Sequence, residues 1–425
     1  MKLRSYWLDT AEPAGDFRRR ELPSRADVAV IGAGLTGLST ALHLARSGAE
    51  VVLLEANTVG WGASGRNGGM ATTGLAISYP KAVKRYGHRE AARMFTAYND
   101  AIDTVEKVVQ DEGIDCDFAR TGKLTLACKP SHYEHFETSA RLLHQDLGHA
   151  VELVPRSAIR SEIGSDHYHG AMVDPMAAGA HVGKLCAGLA RAGDARGVSI
   201  HESCEVSELR RIGGRVHDVQ TSQGVVRADQ VVVATSGYTG SVTPWLRRRV
   251  VPIGSFIIVT EPLSQEVVDE LLPHRRMASD SNNLLYYFRI TPDNRLLFGG
   301  RARFAMSSQE SDVKSGRILQ RGMTKVFPQL RGTRIDYCWG GLVDMTLDQM
   351  VHAGERDGVL YSVGYSGHGV QMATHMGKVL AEMVAGDSSS NTWRNLSFPA
   401  VPGHFGPPWF LPPAGAYYKV LDAVK

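Results

Sequence analysis

The sequence is poor in the features that mark a chain for export, for a membrane or for nucleic acid. Its 425 residues include five cysteines, Cys116, Cys128, Cys186, Cys204 and Cys338. None forms a C-x-x-C pair, so neither a disulfide framework nor a thiolate metal site is expected, and a reducing compartment is. No uncharged apolar run approaches the roughly 18 residues a spanning helix needs. The opening MKLRSYWLDTAEPAGDFRRR lacks the apolar core of a signal peptide. The expected location is the cytoplasm. Charge of one sign is also missing, with 47 Lys+Arg against 44 Asp+Glu. Without a basic tract, a nucleic-acid partner is not expected, and Arg247-Arg248-Arg249 reads as a solvated turn. His167-Tyr168-His169 has no cysteine or acidic companions at ligand spacing, so no metal is expected.

What the chain does have is a 43% hydrophobic content and enough length for two or three domains. From Ala26 the pattern sharpens. Val28-Ala29-Val30-Ile31 is an apolar run suited to a buried parallel strand. GAGLTG follows, then Leu38, Ala41, Leu42 and Ala45 at helical spacing, with Gly48 placed to end the helix. Val51-Val52-Leu53-Leu54 is a second strand, completing a βαβ unit. The stretch 79–147 reads as helical and charged, broken at 120–126 by a strand pair. A glycine-spaced helix over 179–189, strands near 198–200 and 205–206, and the strand 231–234 follow. Alternating and aromatic runs over 253–260 and 284–298 predict antiparallel strands. Val359-Leu360-Tyr361-Ser362-Val363 then precedes GYSGHG and an amphipathic helix to about Val384.

The βα character thus begins, is interrupted and returns. This predicts an α/β fold with a discontinuous Rossmann-like nucleotide-binding domain over 1–80, 151–240 and 336–390. A second, antiparallel-sheet domain over 81–150 and 241–335 is inserted for substrate, and 391–425 forms a tail. The first twenty or so residues read as an arm lying over the body.

Gly32-Ala33-Gly34-Leu35-Thr36-Gly37 matches G-x-G-x-x-G between a strand and a helix, and Glu55 ends the next strand 23 positions beyond Gly32. Gly32 makes the turn, Gly34 admits a pyrophosphate to the backbone, and Gly37 lets helix and strand pack closely. The amides of Leu35 and Thr36 at the helix start offer free N–H groups to phosphate. Glu55, followed by Ala56, suits ribose hydroxyls and repels a 2′-phosphate, which leaves NAD or FAD. SGRNGGM, just past the second strand, favours FAD, because this longer cofactor continues beyond the pyrophosphate, where the loop's amides and the Asn67 side chain can follow it. GYSGHG is not a hydrolase elbow, since His368 stands where the second glycine is required.

GAGLTG, Glu55, SGRNGGM, VVVATSGY and GYSGHG together resemble the D-amino-acid oxidase superfamily of FAD-dependent oxidoreductases, which includes the glycine and sarcosine oxidases. SGRNGG, Trp339-Gly340-Gly341 and the closing FLPPAGAYYKVLD most resemble its gamma-glutamylputrescine oxidoreductase branch. The resemblance implies that Gly32, Gly34, Gly37 and Glu55 hold the ADP half. Ser64, Arg66, Asn67, Gly68, Gly69 and Met70 would line the ribityl chain and flavin, and the Val206 backbone would meet the adenine. Thr235, Ser236 and Gly237 would lie beside the pyrophosphate, and Gly367, His368, Gly369 and Val370 at the flavin's pyrimidine edge. Sarcosine-oxidase types attach FAD through a cysteine. The matching position here is Gly341, so non-covalent FAD is expected.

The implied activity is oxidation of a C–N bond in an amine or amino acid by hydride transfer to flavin N5, with a gamma-glutamylated diamine as one substrate. Dioxygen or an electron carrier would be the acceptor, and peroxide formation under air separates an oxidase from a dehydrogenase. His368 is a candidate for charge stabilisation at the flavin, and Arg289, with His352 as a second candidate, for a substrate carboxylate. Tyr286, Tyr287, Phe288 and Trp339 are candidates for the pocket walls. Gln371 replaces the carboxylate-binding lysine of sarcosine-type enzymes, which argues against a simple N-methyl amino acid. A flavin-binding interaction protein and a nicotinamide-binding protein are the readings from other classes. The first predicts no bleaching by amines, the second no visible absorbance.

Overall fold

Val28, Val30, Ala29 and Ile31 bury alternate side chains on the two faces of one strand, Arg25–Ile31. The computed structural model describes residues 1–300, 309–406 and 408–424. That strand sits at the centre of a sheet ordered His352–Arg356, Val359–Val363, Gly224–Val233, Arg25–Ile31, Val51–Leu54 and Ser199–His201. All pairs inward of the antiparallel edge strand His352–Arg356 are parallel. Val51–Leu54 is buried on both faces, the mark of a parallel strand covered from two sides. An antiparallel flap, Val206–Gly213 and Val216–Thr221, extends from Gly224–Val233. One face is covered by helices Leu35–Arg46, His88–Asp111, Val182–Asp194 and Gly369–Val384. Helices Leu35–Arg46 and Gly369–Val384 approach so closely that a Cβ on Gly377 would lie 2.5 Å from Ser39 Cβ.

The second sheet has eight strands, ordered Ile335–Met345, Val251–Thr260, Leu296–Gly300, Tyr286–Ile290, Met277–Asp280, Lys123–Leu126, Gly170–Asp174 and Glu152–Pro155. Among the described residues, only the pair Met277–Asp280 with Lys123–Leu126 is parallel. Its core side packs Leu124, Leu126, Phe256, Phe288 and Phe298 against Leu319, Met323 and Val326 of helix Gln309–Val326. This is the nucleotide-binding α/β fold with an antiparallel-sheet domain that the sequence predicts. The sheet, however, crosses the boundaries drawn at 151 and 336. Glu152–Pro155, Gly170–Asp174 and most of Ile335–Met345 lie in stretches assigned by sequence to the nucleotide-binding domain. Short alternating strands carry no mark of the sheet they join. The strand pair expected at 120–126 is a single strand, its partners arriving from 170–174 and 277–280.

The N-terminal arm is woven in. Helix Tyr6–Thr10 buries Tyr6 and Trp7 in a cluster with Ile257, Val259 and Trp339, and Ser5 Oγ donates to the Gly65 carbonyl. At the other end, helix Leu411–Val424 is held by Asp422, whose carboxylate accepts from the amides of Asn283 and Leu284 at 2.9 Å each.

Candidate active site

A cleft of about 580 Å³ opens where the ends of the parallel strands, at Ile31, Leu54 and Val233, face the antiparallel sheet. This is the end at which open α/β sheets bind ligands. Three distant segments line it together: the glycine turn after Ile31, the loop 61–70, and the turn 365–370.

The glycine turn is packed as its spacing predicts. Gly32 has φ +102°, and a Cβ there would stand 2.9 Å from the Ala234 carbonyl oxygen. A Cβ on Gly37 would lie 1.9 Å from the Gly32 carbonyl oxygen, so helix and strand meet only because Gly37 has no side chain. The Ala33 amide donates to Glu55 Oε2 at 2.8 Å and the Asn57 amide to Oε1 at 2.9 Å. Burial pushes the Glu55 carboxyl up, and these amides pull it back toward the ionised form. The Leu35 amide, expected to be open to phosphate, donates instead to Ser64 Oγ at 2.8 Å, joining the turn to the loop. Leu35 and Gly37 pack behind the turn, whereas Gly32, Gly34, Thr36, Glu55 and Ala56 face the cleft.

In SGRNGGM, the Asn67 side chain folds the loop rather than following a ligand. Its Nδ2 donates to the carbonyls of Ala63 (3.1 Å) and Ser64 (2.8 Å), and its Oδ1 accepts from the Gly69 amide (2.8 Å). Arg66 donates from Nε to the Trp61 carbonyl at 2.7 Å and from Nη1 to the Gly340 carbonyl at 3.2 Å. Ser64, Arg66, Asn67, Gly68 and Met70 line the cleft, while Gly69 lies under Arg289.

Val206, Thr235, Ser236 and Gly341 also reach the cleft, and Gly237 packs behind it against Leu342. His368 caps helix Gly369–Val384, its amide donating to the Tyr365 carbonyl at 2.8 Å and its ring edge-on to Tyr98. Gly367, His368, Gly369 and Val370 all line the cleft.

Two expected substrate residues lie elsewhere. Arg289 is buried behind the loop, donating from Nη1 to the carbonyls of Gly69 and Ala180. Burial pushes its guanidinium down to about 10. It braces backbone and does not face the cleft. His352 is buried at the edge of the parallel sheet, stacked on Phe398 with ring centres 4.0 Å apart and bonded to Asp348 Oδ1 at 3.0 Å. Of the aromatic candidates, only Tyr287 lines the cleft, with its hydroxyl 3.1 Å from Ser255 Oγ. Tyr286 and Phe288 pack on Phe298, and Trp339 donates to the Arg66 carbonyl at 2.9 Å. Gln371 is buried and donates to the Thr72 carbonyl.

The sequence reading missed Lys123, Ser255, Ser279 and Leu285 on the sheet wall, and Asp344 on the floor. Asp344 Oδ2 accepts from the Gly364 amide at 2.7 Å, and burial pushes its carboxyl up to about 6. An acidic residue near the end of a largely apolar strand is a visible signal for it; what the residue faces is not.

The lining suits a long dinucleotide carrying a flat ring. A Cβ added to Gly367 would meet nothing within 4 Å, and one on Gly369 only Tyr365 Cβ at 3.8 Å, so bare backbone faces the space beside His368. Fold and cleft together define a dinucleotide-dependent oxidoreductase. The model of the family described as DAO, FAD dependent oxidoreductase, matches residues 27–383, and the chain belongs to that family. It is 35% identical over 431 residues to the probable oxidoreductase OrdL of Haemophilus influenzae, covering 100% of this chain and 98% of the relative. It is 34% identical over 422 residues to the gamma-glutamylputrescine oxidoreductase of Escherichia coli, covering 98% of each. Among solved structures, glycine oxidase from Geobacillus kaustophilus shares the fold with a TM-score of 0.72 at 19% identity, covering 90% of this chain and 99% of that one.

Proposed function

We propose that this FAD-dependent oxidoreductase oxidises the C–N bond of an amine or amino acid, with a gamma-glutamylated diamine as the leading substrate. Water then hydrolyses the imine to an aldehyde or keto product. The observation that carries this reading is one continuous cleft holding the dinucleotide segments at one side and the wall of Tyr287, Ser255, Ser279 and Lys123 at the other. The 34% identity to the Escherichia coli enzyme supports the substrate. We assign the parallel-sheet domain to FAD and the antiparallel sheet to substrate, and place the protein in the cytoplasm, in keeping with its five free cysteines. Among the described residues, no helix is long and apolar enough to cross a membrane.

FAD, when bound, supplies the hydride acceptor. The chain supplies the rest. Among the described residues, the wall of Tyr287, Ser255, Ser279 and Lys123 brings no carboxylate, so an incoming ammonium is not held charged there and the reactive neutral amine is favoured. Tyr287 and Leu285 wall off water. The N-terminus of helix Gly369–Val384, with His368 at its cap, puts the positive end of a helix dipole on the cleft, where it stabilises developing negative charge. His368 is assigned that electrostatic role. FAD is held without a covalent bond: Gly341 occupies the cleft wall, and the nearby Cys338 sulfur points away, to the Asp312 carbonyl at 3.2 Å.

Anaerobic addition of amines to the yellow holoenzyme tests the reading. A gamma-glutamylated diamine should bleach the flavin spectrum; bleaching by glycine or sarcosine alone, or by no amine, overturns it.

A further inference from the structure

Lys123 begins the strand Lys123–Leu126, whose burial alternates. Leu124 and Leu126 enter the core, and the other face carries Lys123 and Thr125. Lys123 lines the cleft, half-buried, and among the described residues its ammonium makes no hydrogen bond and no ion pair. The carboxylate opposite it in register, Asp174, is already engaged by Thr73 Oγ1 at 2.6 Å, His149 Nε2 at 2.8 Å and the Met176 amide at 3.0 Å. Arg66, the other Lys or Arg side chain on the lining among the described residues, is committed to the carbonyls of Trp61 and Gly340. An ammonium left in this position is a binding group for an anion that comes and goes. Burial also pushes it below the ordinary lysine value, so an entering carboxylate relieves a cost already present.

The register sets the distance. Tyr287 pairs with Ser279, and Ser279 with Thr125, so Tyr287 and the Lys123 strand are two strand steps apart. That is about 10 Å across the sheet, and Lys123 lies one further pleat along. Tyr287 in turn touches the cofactor loop, since a Cβ on Gly68 would stand 3.0 Å from its ring. With the pleat of about 6.7 Å added at right angles the span is about 12 Å, which at about 3.8 Å per three backbone bonds takes about nine bonds.

We propose that Lys123 receives a carboxylate at the far end of an extended amine, so that the enzyme selects amines whose carboxylate stands many bonds from the C–N bond oxidised. This rests on the reading of the cleft proposed above. It places carboxylate recognition on the antiparallel sheet, away from Arg289 and Gln371.

The test compares the wild type, Lys123→Met and Lys123→Arg as holoenzymes, using gamma-glutamylputrescine and the same molecule lacking its carboxylate, N-(4-aminobutanoyl)putrescine. Half-saturation of anaerobic flavin bleaching is read for each amine. The wild type should prefer the carboxylated amine by about 10- to 100-fold, the worth of one charge-assisted hydrogen bond. Lys123→Met should lose that preference, and Lys123→Arg should recover most of it. Calorimetric titration of L-glutamine, which has the carboxylate but no oxidisable terminal amine, should show binding weakened by a similar factor in Lys123→Met. Bleaching by both amines with no wild-type preference, or a preference that survives in Lys123→Met, overturns the role of Lys123 alone. A wild type bleached by neither amine overturns the reading of the cleft itself, and with it this inference.

Discussion

The Trp7 indole nitrogen donates to the Asn67 carbonyl at 2.7 Å, across 60 positions of sequence, and the ring is fully buried. The N-terminal helix is therefore structural support for the loop 61–70 that lines the cleft. Trp7→Phe keeps most of the ring and removes the donor, a loss of about 1 kcal/mol or somewhat more for the unpaired carbonyl. Flavin should dissociate about fivefold to tenfold more readily, followed as recovery of free flavin fluorescence on dilution. Unchanged retention would show that the contact bears no load.

Gly37, in the first turn of helix Leu35–Arg46, and Gly48, just past its end, should respond differently to alanine. At Gly37 the new methyl meets backbone at 1.9 Å, so the turn must open and flavin uptake should fail. At Gly48, φ is +87° with nothing within 4 Å, so only the left-handed conformation is penalised, by about 1 to 2 kcal/mol. Flavin-to-protein ratios after purification separate them: near zero for Gly37→Ala, near wild type for Gly48→Ala.

Asp280 is a carboxyl in the core of the antiparallel sheet, near Tyr168 and Cys128, with Oδ2 unbonded and burial pushing it up to about 7. Its unfolded value is near 3.8. The neutral form belongs to the folded state, so its contribution is fully present below the unfolded value and is lost as pH rises to about 7. Each pKa unit of separation is worth about 1.4 kcal/mol. In Asp280→Asn, the melting temperature should gain on the wild type by several degrees between pH 4 and 7 and hold a constant difference above that. A difference independent of pH would show that Asp280 titrates normally.

Gly341 leaves no sulfur on its part of the cleft wall, and the lining cysteine, Cys204, sits beside Glu55, its amide donating to the Glu55 carbonyl at 2.8 Å. Acid precipitation should therefore release the yellow colour into the supernatant. Colour retained in the pellet would establish a covalent link.

The fold, and the grouping of the glycine turn with Glu55, were legible where the chemistry is local. Gly32, Gly34, Gly37 and Glu55 belong to one strand, turn and strand end, and their spacing alone brings them together. The substrate wall was not legible, because it depends on register between distant strands. Tyr287 and Arg289 stand two residues apart on one face of their strand, but the segments around Gly69 and Ala180 cover that face at Arg289 and leave it open at Tyr287. His352 misled because its stacking partner, Phe398, arrives from the tail. Lys123 stood in view as a charge in an alternating strand, yet only its pairing with 170–174 and 277–280 turns it toward the cleft.

Strand Ile335–Met345 pairs with Val251–Thr260 along its length in the antiparallel sheet, and its last residues carry Gly341 to Asp344 into the cleft. Asp344 is then bonded to the Gly364 amide, at the end of a parallel strand. A single continuous piece of backbone is thus a girder common to both halves. Attempts to express either half separately should yield insoluble protein, and heat should melt the two sheets in one cooperative step.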